Sequence, residues 1–316
     1  MIAFALTACS GSESEPGIGQ VSAFHLGGRE IPVAGSGVEA DQTDVTFVGQ
    51  VAVTALLPEQ ATARPPIIML PGFGIAVTSY LETPDGREGW AMDAIRHGHP
   101  VYLVEPALSA RAGVSPDQSI RLFSWGSHNV WRRWGLGEAY PVPFDDGQFP
   151  AEYWDDVVKS FAQIQVGDAT GRGMIAVQND DTVNGIRQLL DRIGPSILLV
   201  HSASGTPGFE AARNNSDDVL AVVNIEPVGC PTEALEQWDG IPVLSVFGDH
   251  MEVRPQMPPR QRNCQTTVDY LQANGTAADM FALPRMGIRG NSHLMMDELN
   301  SSELMAMILE WLEDNI

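Results

Sequence analysis

The chain has 316 residues and carries 40 Asp and Glu against 18 Lys and Arg, a formal charge of −22. So acidic a surface repels nucleic acid and anionic membrane surfaces, and no nucleic-acid partner is expected. A 44% hydrophobic content supplies a sizeable core and excludes a disordered chain, and the length suits one large α/β domain or two small ones.

In chain order, residues 1–19 are a short apolar run ending in Leu6-Thr7-Ala8-Cys9 and then a Gly, Ser and Glu linker. The run resembles the tail of a bacterial lipoprotein signal, in which Cys9 becomes the lipidated first residue; the basic stretch that opens such signals is missing. An exported protein is therefore expected, periplasmic or held to a membrane by a lipid at Cys9. No other stretch reaches the ~18 apolar residues of a membrane-spanning helix.

Residues 20–316 are expected to form the folded domain. Two β patterns, Gln20–Leu26 and Val45–Leu57, are separated by the turn signals Gly27-Gly28 and Gly35-Ser36-Gly37, which predicts an antiparallel hairpin. Buried strands are then predicted at Ile67–Leu70 and Val101–Glu105, with a helix over Gly89–His97 between them. Strands alternating with helices imply right-handed crossovers and a mostly parallel sheet. Residues 106–173 break the rhythm with many aromatics, Gly and Pro. A long irregular insert of this kind is expected to be a lid over a site, or else a peripheral subdomain around its own aromatic core. Alternation resumes with a helix over Gly173–Ile193, a strand Ile197–Val200 and a helix Gly205–Arg213. Strands Leu220–Ile225 and Ile241–Phe247, a helix Thr266–Asn274, a strand Asp279–Leu283 and a helix Ser301–Glu313 complete the pattern.

Chemistry concentrates where Ile197-Leu198-Leu199-Val200 runs into His201-Ser202-Ala203-Ser204-Gly205. A buried strand leading through small residues into a helix is a nucleophile elbow, which lifts Ser202 above the sheet edge; Val200 and Ser204 replace its usual flanking glycines. A serine needs a base to take its proton, and the base needs a carboxylate to orient it. The order in such a fold is Ser, acid, His, so the base lies downstream, where only His250 and His293 occur. His293, in the loop before the last helix, is the expected base, with His201 packed beside the nucleophile. Asp249, after the strand Ile241–Phe247, holds the usual place of the acid, and Glu226, one strand earlier, is the variant; the residues alone slightly favour Asp249. The oxyanion needs backbone N–H donors, expected at Ala203 and at Phe73 in Pro71-Gly72-Phe73-Gly74.

With Cys9 set aside, Cys230 and Cys264 are an even pair, read either as a disulfide formed in an oxidising compartment or as two buried thiols. No Cys-x-x-Cys or His-rich spacing is present, so no metal site is expected, and the mechanism needs no organic cofactor.

Several blocks now combine: Phe24-x-x-Gly27-Gly28-Arg29, Gly72-Phe73-Gly74, Thr83-Pro84-Asp85-Gly86-Arg87-Glu88-Gly89-Trp90, the His-Ser-x-Ser-Gly elbow, Ile225-Glu226-Pro227 and Gly287-Ile288-x-Gly290-Asn291-Ser292-His293. In this order they resemble the bacterial esterase family typified by esterase 713, within the α/β-hydrolase fold. The resemblance runs from about residue 20 to the end. It implies a serine carboxylesterase acting on a small-molecule ester, whose acid is the glutamate after the strand that follows the elbow, and it moves the expectation from Asp249 to Glu226. The oxyanion loop departs from the family, reading Leu70-Pro71-Gly72-Phe73 where members carry His-Gly or adjacent cysteines. Arg87 is read as a structural tie. Two other outcomes stay open: the same fold acting on lactones or polyesters, and a non-catalytic binding lipoprotein. A homodimer is compatible with the sequence.

Overall fold

Runs such as Ile67-Ile68-Met69-Leu70 and Ile197-Leu198-Leu199-Val200 have no polar alternation, so they fit only strands covered on both faces. The structure is a computed structural model that describes residues 17–34, 43–115, 121–166 and 172–316. Cys9 and the Gly35-Ser36-Gly37 turn lie outside the described residues. The strands are β1 (Ile18–Ala34), β2 (Thr43–Pro58), β3 (Ile67–Leu70), β4 (Val101–Glu105), β5 (Arg121–Phe123), β6 (Ile164–Val166), β7 (Ser196–His201), β8 (Val219–Ile225), β9 (Val243–Phe247) and β10 (Ala278–Ala282). The helices are α1 (Trp90–Arg96), α2 (Ser127–Arg133), α3 (Trp154–Ser160), α4 (Arg172–Ile193), α5 (Gly205–Asn214), α6 (Met257–Ala273) and α7 (Ser301–Asn315).

Eight strands form one sheet in the order β1-β2-β4-β3-β7-β8-β9-β10. From β4 to β10 the pairs are parallel, while β1 and β2 make an antiparallel hairpin whose second strand runs antiparallel to β4. This mostly parallel sheet with helices on both faces is an α/β-hydrolase arrangement. Strand alternation divides the core. Ile67, Met69, Ile197 and Leu199 face α1 and α7, whereas Ile68, Leu70, Leu198 and Val200 face α4, α5 and α6. Each such fully buried side chain contributes about 1.5–3 kcal/mol relative to exposure. Trp90 of α1, buried, donates from Nε1 to the Ser301 carbonyl at 2.8 Å and fastens α1 to the start of α7.

Two expectations are corrected. Gly27-Gly28 does not end the first strand: both residues sit inside β1 at φ 69° and 82°, and pairing with β2 continues past them. Glycine accepts positive φ without a Cβ clash, so the strand bends rather than stops. The Gly27 N–H meets Gln188 Oε1 on α4 at 3.0 Å. The helix predicted from Thr266 starts instead at Met257, because Pro258 and Pro259 occupy its first turn, where an N–H has no partner within the helix.

The described parts of residues 106–173 comprise the β5–β6 ribbon, α2, α3 and connecting turns. Trp131, Phe149, Trp154 and Phe161 pack edge to face among themselves, while Trp125 and Trp134 lean toward the ends of β3 and β7.

Candidate active site

Strand β7 ends at His201, the chain turns through Ser202–Ser204, and α5 begins at Gly205. The turn is tight enough to hold Ser202 at φ 52°, a left-handed conformation that costs a non-glycine residue on the order of 1–3 kcal/mol. Its carbonyl accepts the Val228 N–H at 2.7 Å. A Cβ at Gly205 would lie 2.4 Å from the Val228 carbonyl oxygen, so only glycine lets α5 start this close to the following loop. Ser204, the other serine of the motif, turns its hydroxyl away to the Pro71 carbonyl at 2.5 Å. The loop after β3 presses on the elbow from the opposite side: a Cβ at Gly72 would stand 2.9 Å from both Ser202 Cβ and His201 Nδ1. Phe73 and Ala203 are thereby brought beside Ser202, and all three line one cavity.

His293 lies in the loop before α7, and its Nδ1 is 2.6 Å from Glu226 Oε2. With Nδ1–H donated to the carboxylate, Nε2 of the neutral ring is left unprotonated. Glu226 follows β8 at φ 42° and is fully buried. Its Oε1 accepts the Gly248 N–H at 2.9 Å and its Oε2 also accepts from Arg254 Nη1 at 2.7 Å. Burial by itself would raise the Glu226 pKa, but the Arg254 charge and the His293 hydrogen bond outweigh it and hold the carboxyl at about 2. Burial likewise pushes the His293 pKa below the usual histidine range, against the opposing pull of Glu226. His201 is completely buried with its ring 4.4 Å from that of His293; burial first, and then the His293 charge, keep it neutral.

Asp249 does not reach His293. Its Oδ1 caps the His250 N–H at 2.8 Å and its Oδ2 accepts the Gly290 N–H at 3.2 Å, so it shapes the loop that carries His293. Asp249 leaves the strand end one strand further from the elbow than Glu226 does, and its short side chain is consumed by backbone donors.

Two features carry no recognisable sequence motif. Arg254, fully buried, pairs with Glu226 and gives Nη2 to the Asp249 carbonyl. Glu298, also buried, receives the Ser292 N–H and, at 2.5 Å, Asn291 Nδ2, which braces the His293 loop; burial raises its pKa to about 7. Arg87 clasps Asp85 and donates to the Glu298 and Leu299 carbonyls at 2.9 and 3.1 Å, which is the structural tie expected of it. The Cys230–Cys264 disulfide is formed and joins the loop beyond Glu226 to α6.

The cavity over Ser202 and His293 has a volume of about 520 Å³. Residues of the 106–173 insert, among them Phe123, Trp125, Trp134 and Ile164, make much of its apolar wall. Among the described residues one group has metal-ligand character, Asp146 with Asp249 and His250. It stands away from the cavity, with His250 Nε2 3.0 Å from Asp146 and its ring stacked on Phe144 at 3.7 Å.

No family model matches the chain. It is 25% identical to a probable secreted lipase, phiG, of a fungal species (strain ATCC 74256), over 92% of this chain and 93% of that protein. A solved structure of a bacterial esterase superposes with a TM-score of 0.84 at 28% identity, over 95% of this chain and 97% of the other. Agreement over nearly the full length of both, together with the strand order, makes the chain an α/β-hydrolase of the esterase type.

Proposed function

We propose that this esterase cleaves carboxylic esters through an acyl-enzyme formed on Ser202, with His293 as base and Glu226 as the acid that orients it. The observation that carries the proposal is the 2.6 Å contact of His293 Nδ1 with Glu226, made by a histidine that lines the same cavity as Ser202. In the first half-reaction His293 Nε2 takes the Ser202 hydroxyl proton as Oγ attacks the ester carbonyl. The amides of Phe73 and Ala203 hold the resulting oxyanion. His293 then gives its proton to the departing alkoxide, and the acyl group stays on Ser202. In the second half-reaction His293 deprotonates water, which releases the carboxylic acid and frees the serine. Glu226, ionised throughout by its pairing with Arg254, stabilises the imidazolium in both halves.

The 106–173 insert serves as the lid, supported by the aromatic side chains it contributes to the cavity wall. Export is supported by the Cys230–Cys264 disulfide, a bond that persists in oxidising compartments. Lipid attachment at Cys9 is part of the same proposal, and mass spectrometry of membrane-extracted protein tests it.

Ser202→Ala tests the central step. Hydrolysis of 4-nitrophenyl butyrate should fall by about 10⁴-fold or more while the thermal unfolding curve is retained. Turnover within tenfold of the wild type rules out Ser202 as nucleophile.

A further inference from the structure

The protein is strongly acidic, yet its substrate cavity is not. Among the described residues lining it there is no aspartate or glutamate, and there are two arginines, Arg133 and Arg260. Both stand at the side formed by the end of α2 and the first turns of α6, together with Gln256. Neither makes an ion pair within 4.0 Å among the described residues, although the chain's 40 carboxylates outnumber its cations more than twofold. Arg133 is exposed, its guanidinium lying 5.6 Å over the Trp125 ring of the cavity wall. Arg260 is half-buried, and its one hydrogen bond, from Nη1 to the Glu226 carbonyl, is long at 3.3 Å. The Glu226 carboxylate is already engaged by Arg254 and His293.

Holding an arginine this way is costly. Burial disfavours the Arg260 cation and lowers its pKa, Glu226 offsets part of that, and Arg133 and Arg254 add like-charge repulsion. An anion arriving between the two guanidinium groups removes the repulsion and restores the missing hydrogen bonds, and arginine's fixed fork suits a planar carboxylate. The apolar remainder of the cavity accepts the carbon skeleton.

We propose that Arg133 and Arg260 form an anion subsite, so that the esters this enzyme selects carry a carboxylate on the acyl or the alcohol part. The proposal rests on the ester-hydrolase reading of the same cavity. Its physical content is local: Arg260 is half-buried in the cavity wall, where its charge is less screened than the negative charge of the outer surface.

The test compares two pairs of esters that differ only in charge. For the acyl side these are 4-nitrophenyl hydrogen glutarate and methyl 4-nitrophenyl glutarate; for the alcohol side, 4-acetoxybenzoate and its methyl ester. The anionic member of at least one pair should have the higher kcat/KM by about tenfold. That ratio should collapse toward one in Arg133→Gln and in Arg260→Gln, and should be partly restored in Arg260→Lys. Which pair responds tells on which side of the ester the anion lies. The subsite is overturned if the neutral ester is preferred in both pairs, or if the ratio survives both glutamine substitutions; Arg260 then serves only to brace the Glu226 carbonyl. If none of the four esters is cleaved, it is the hydrolase reading that fails. Calorimetry of 4-phenylbutyrate against 4-phenylbutyramide still decides the subsite, since only the carboxylate should bind tightly and lose about tenfold in affinity in Arg133→Gln.

Discussion

Replacing Arg254 with methionine removes one half of an ion pair whose two side chains have no solvent exposure. Glu226 is then left buried beside His293 with its strongest counter-charge gone, and the Asp249 carbonyl loses its donor. Deleting one partner of a buried pair costs about 3–5 kcal/mol, far more than a surface pair, because the remaining charge has neither water nor partner. Unfolding entropy of roughly 2.1 cal/mol/K per residue over 316 residues gives about 0.66 kcal/mol/K, so the midpoint should fall by about 5–8 °C. The pH dependence has a definite sign. In the wild type the Glu226 pKa is depressed to about 2 from 4.5, so its contribution to stability is present above pH 4.5 and is lost as pH falls toward 2. In Arg254→Met the carboxyl is no longer held down, and that loss should set in at higher pH. Arg254 also depresses the His293 pKa, so the acid limb of kcat/KM, which follows formation of neutral His293, should move to higher pH. Differential scanning calorimetry and pH–rate profiles measure both effects. Adding Glu226→Gln to Arg254→Met should recover part of the stability, because the unpaired charge is gone, but none of the activity. A single Arg254→Met variant within about 1 kcal/mol of wild type, with an unmoved acid limb, would refute the reasoning.

Further substitutions separate the parts of the site. Glu226→Gln should lower kcat by several orders of magnitude, since the base loses its orienting charge, whereas Asp249→Asn should cost about tenfold or less; the reverse ranking would return the acid role to Asp249. In Gly72→Ala the new Cβ meets Ser202 Cβ at 2.9 Å, against ordinary carbon contacts of about 3.5–4.0 Å. A displacement of roughly 0.6 Å or more at the nucleophile should lower kcat/KM by about 10–100-fold with a small change in stability, and activity near wild type would show that the loop yields freely. Cys230→Ser opens a disulfide with a sequence separation of 34. The chain-entropy relation puts its contribution at about 4 kcal/mol, so reducing agent and the substitution should lower the wild-type midpoint by similar amounts.

Much of the central sheet is legible because β3 and β7 are built on uninterrupted apolar runs, Ile67–Leu70 and Ile197–Val200. Ser202 was legible for the same reason: Ile197–Val200 has one plausible setting, and small residues follow it. The acid was not. Asp249 and Glu226 both follow buried strands, and only tertiary geometry separates a side chain spent on backbone donors from one 2.6 Å from the imidazole. The resemblance to a known family moves the expectation from Asp249 to Glu226, which the residues alone do not. Arg254, Glu298 and Arg260 left no signal, since a buried charge is written in sequence like an exposed one. Their meaning comes from burial and partners. Gly27-Gly28 misled because a glycine pair permits positive φ without requiring a chain reversal, and Pro258-Pro259 concealed the start of α6 because proline reads as a breaker except in a helix's first turn.

The central claim is that Ser202 alone among the serines is activated by a base. Treating the folded protein with a fluorophosphonate and mapping the adduct by peptide mass spectrometry tests it directly. One phosphonyl group is expected, on the peptide containing Ser202, with labelling rising through the pH range in which His293 becomes neutral and absent from Ser202→Ala. An adduct on Ser204, or ester hydrolysis that continues with Ser202 unlabelled, would contradict the account.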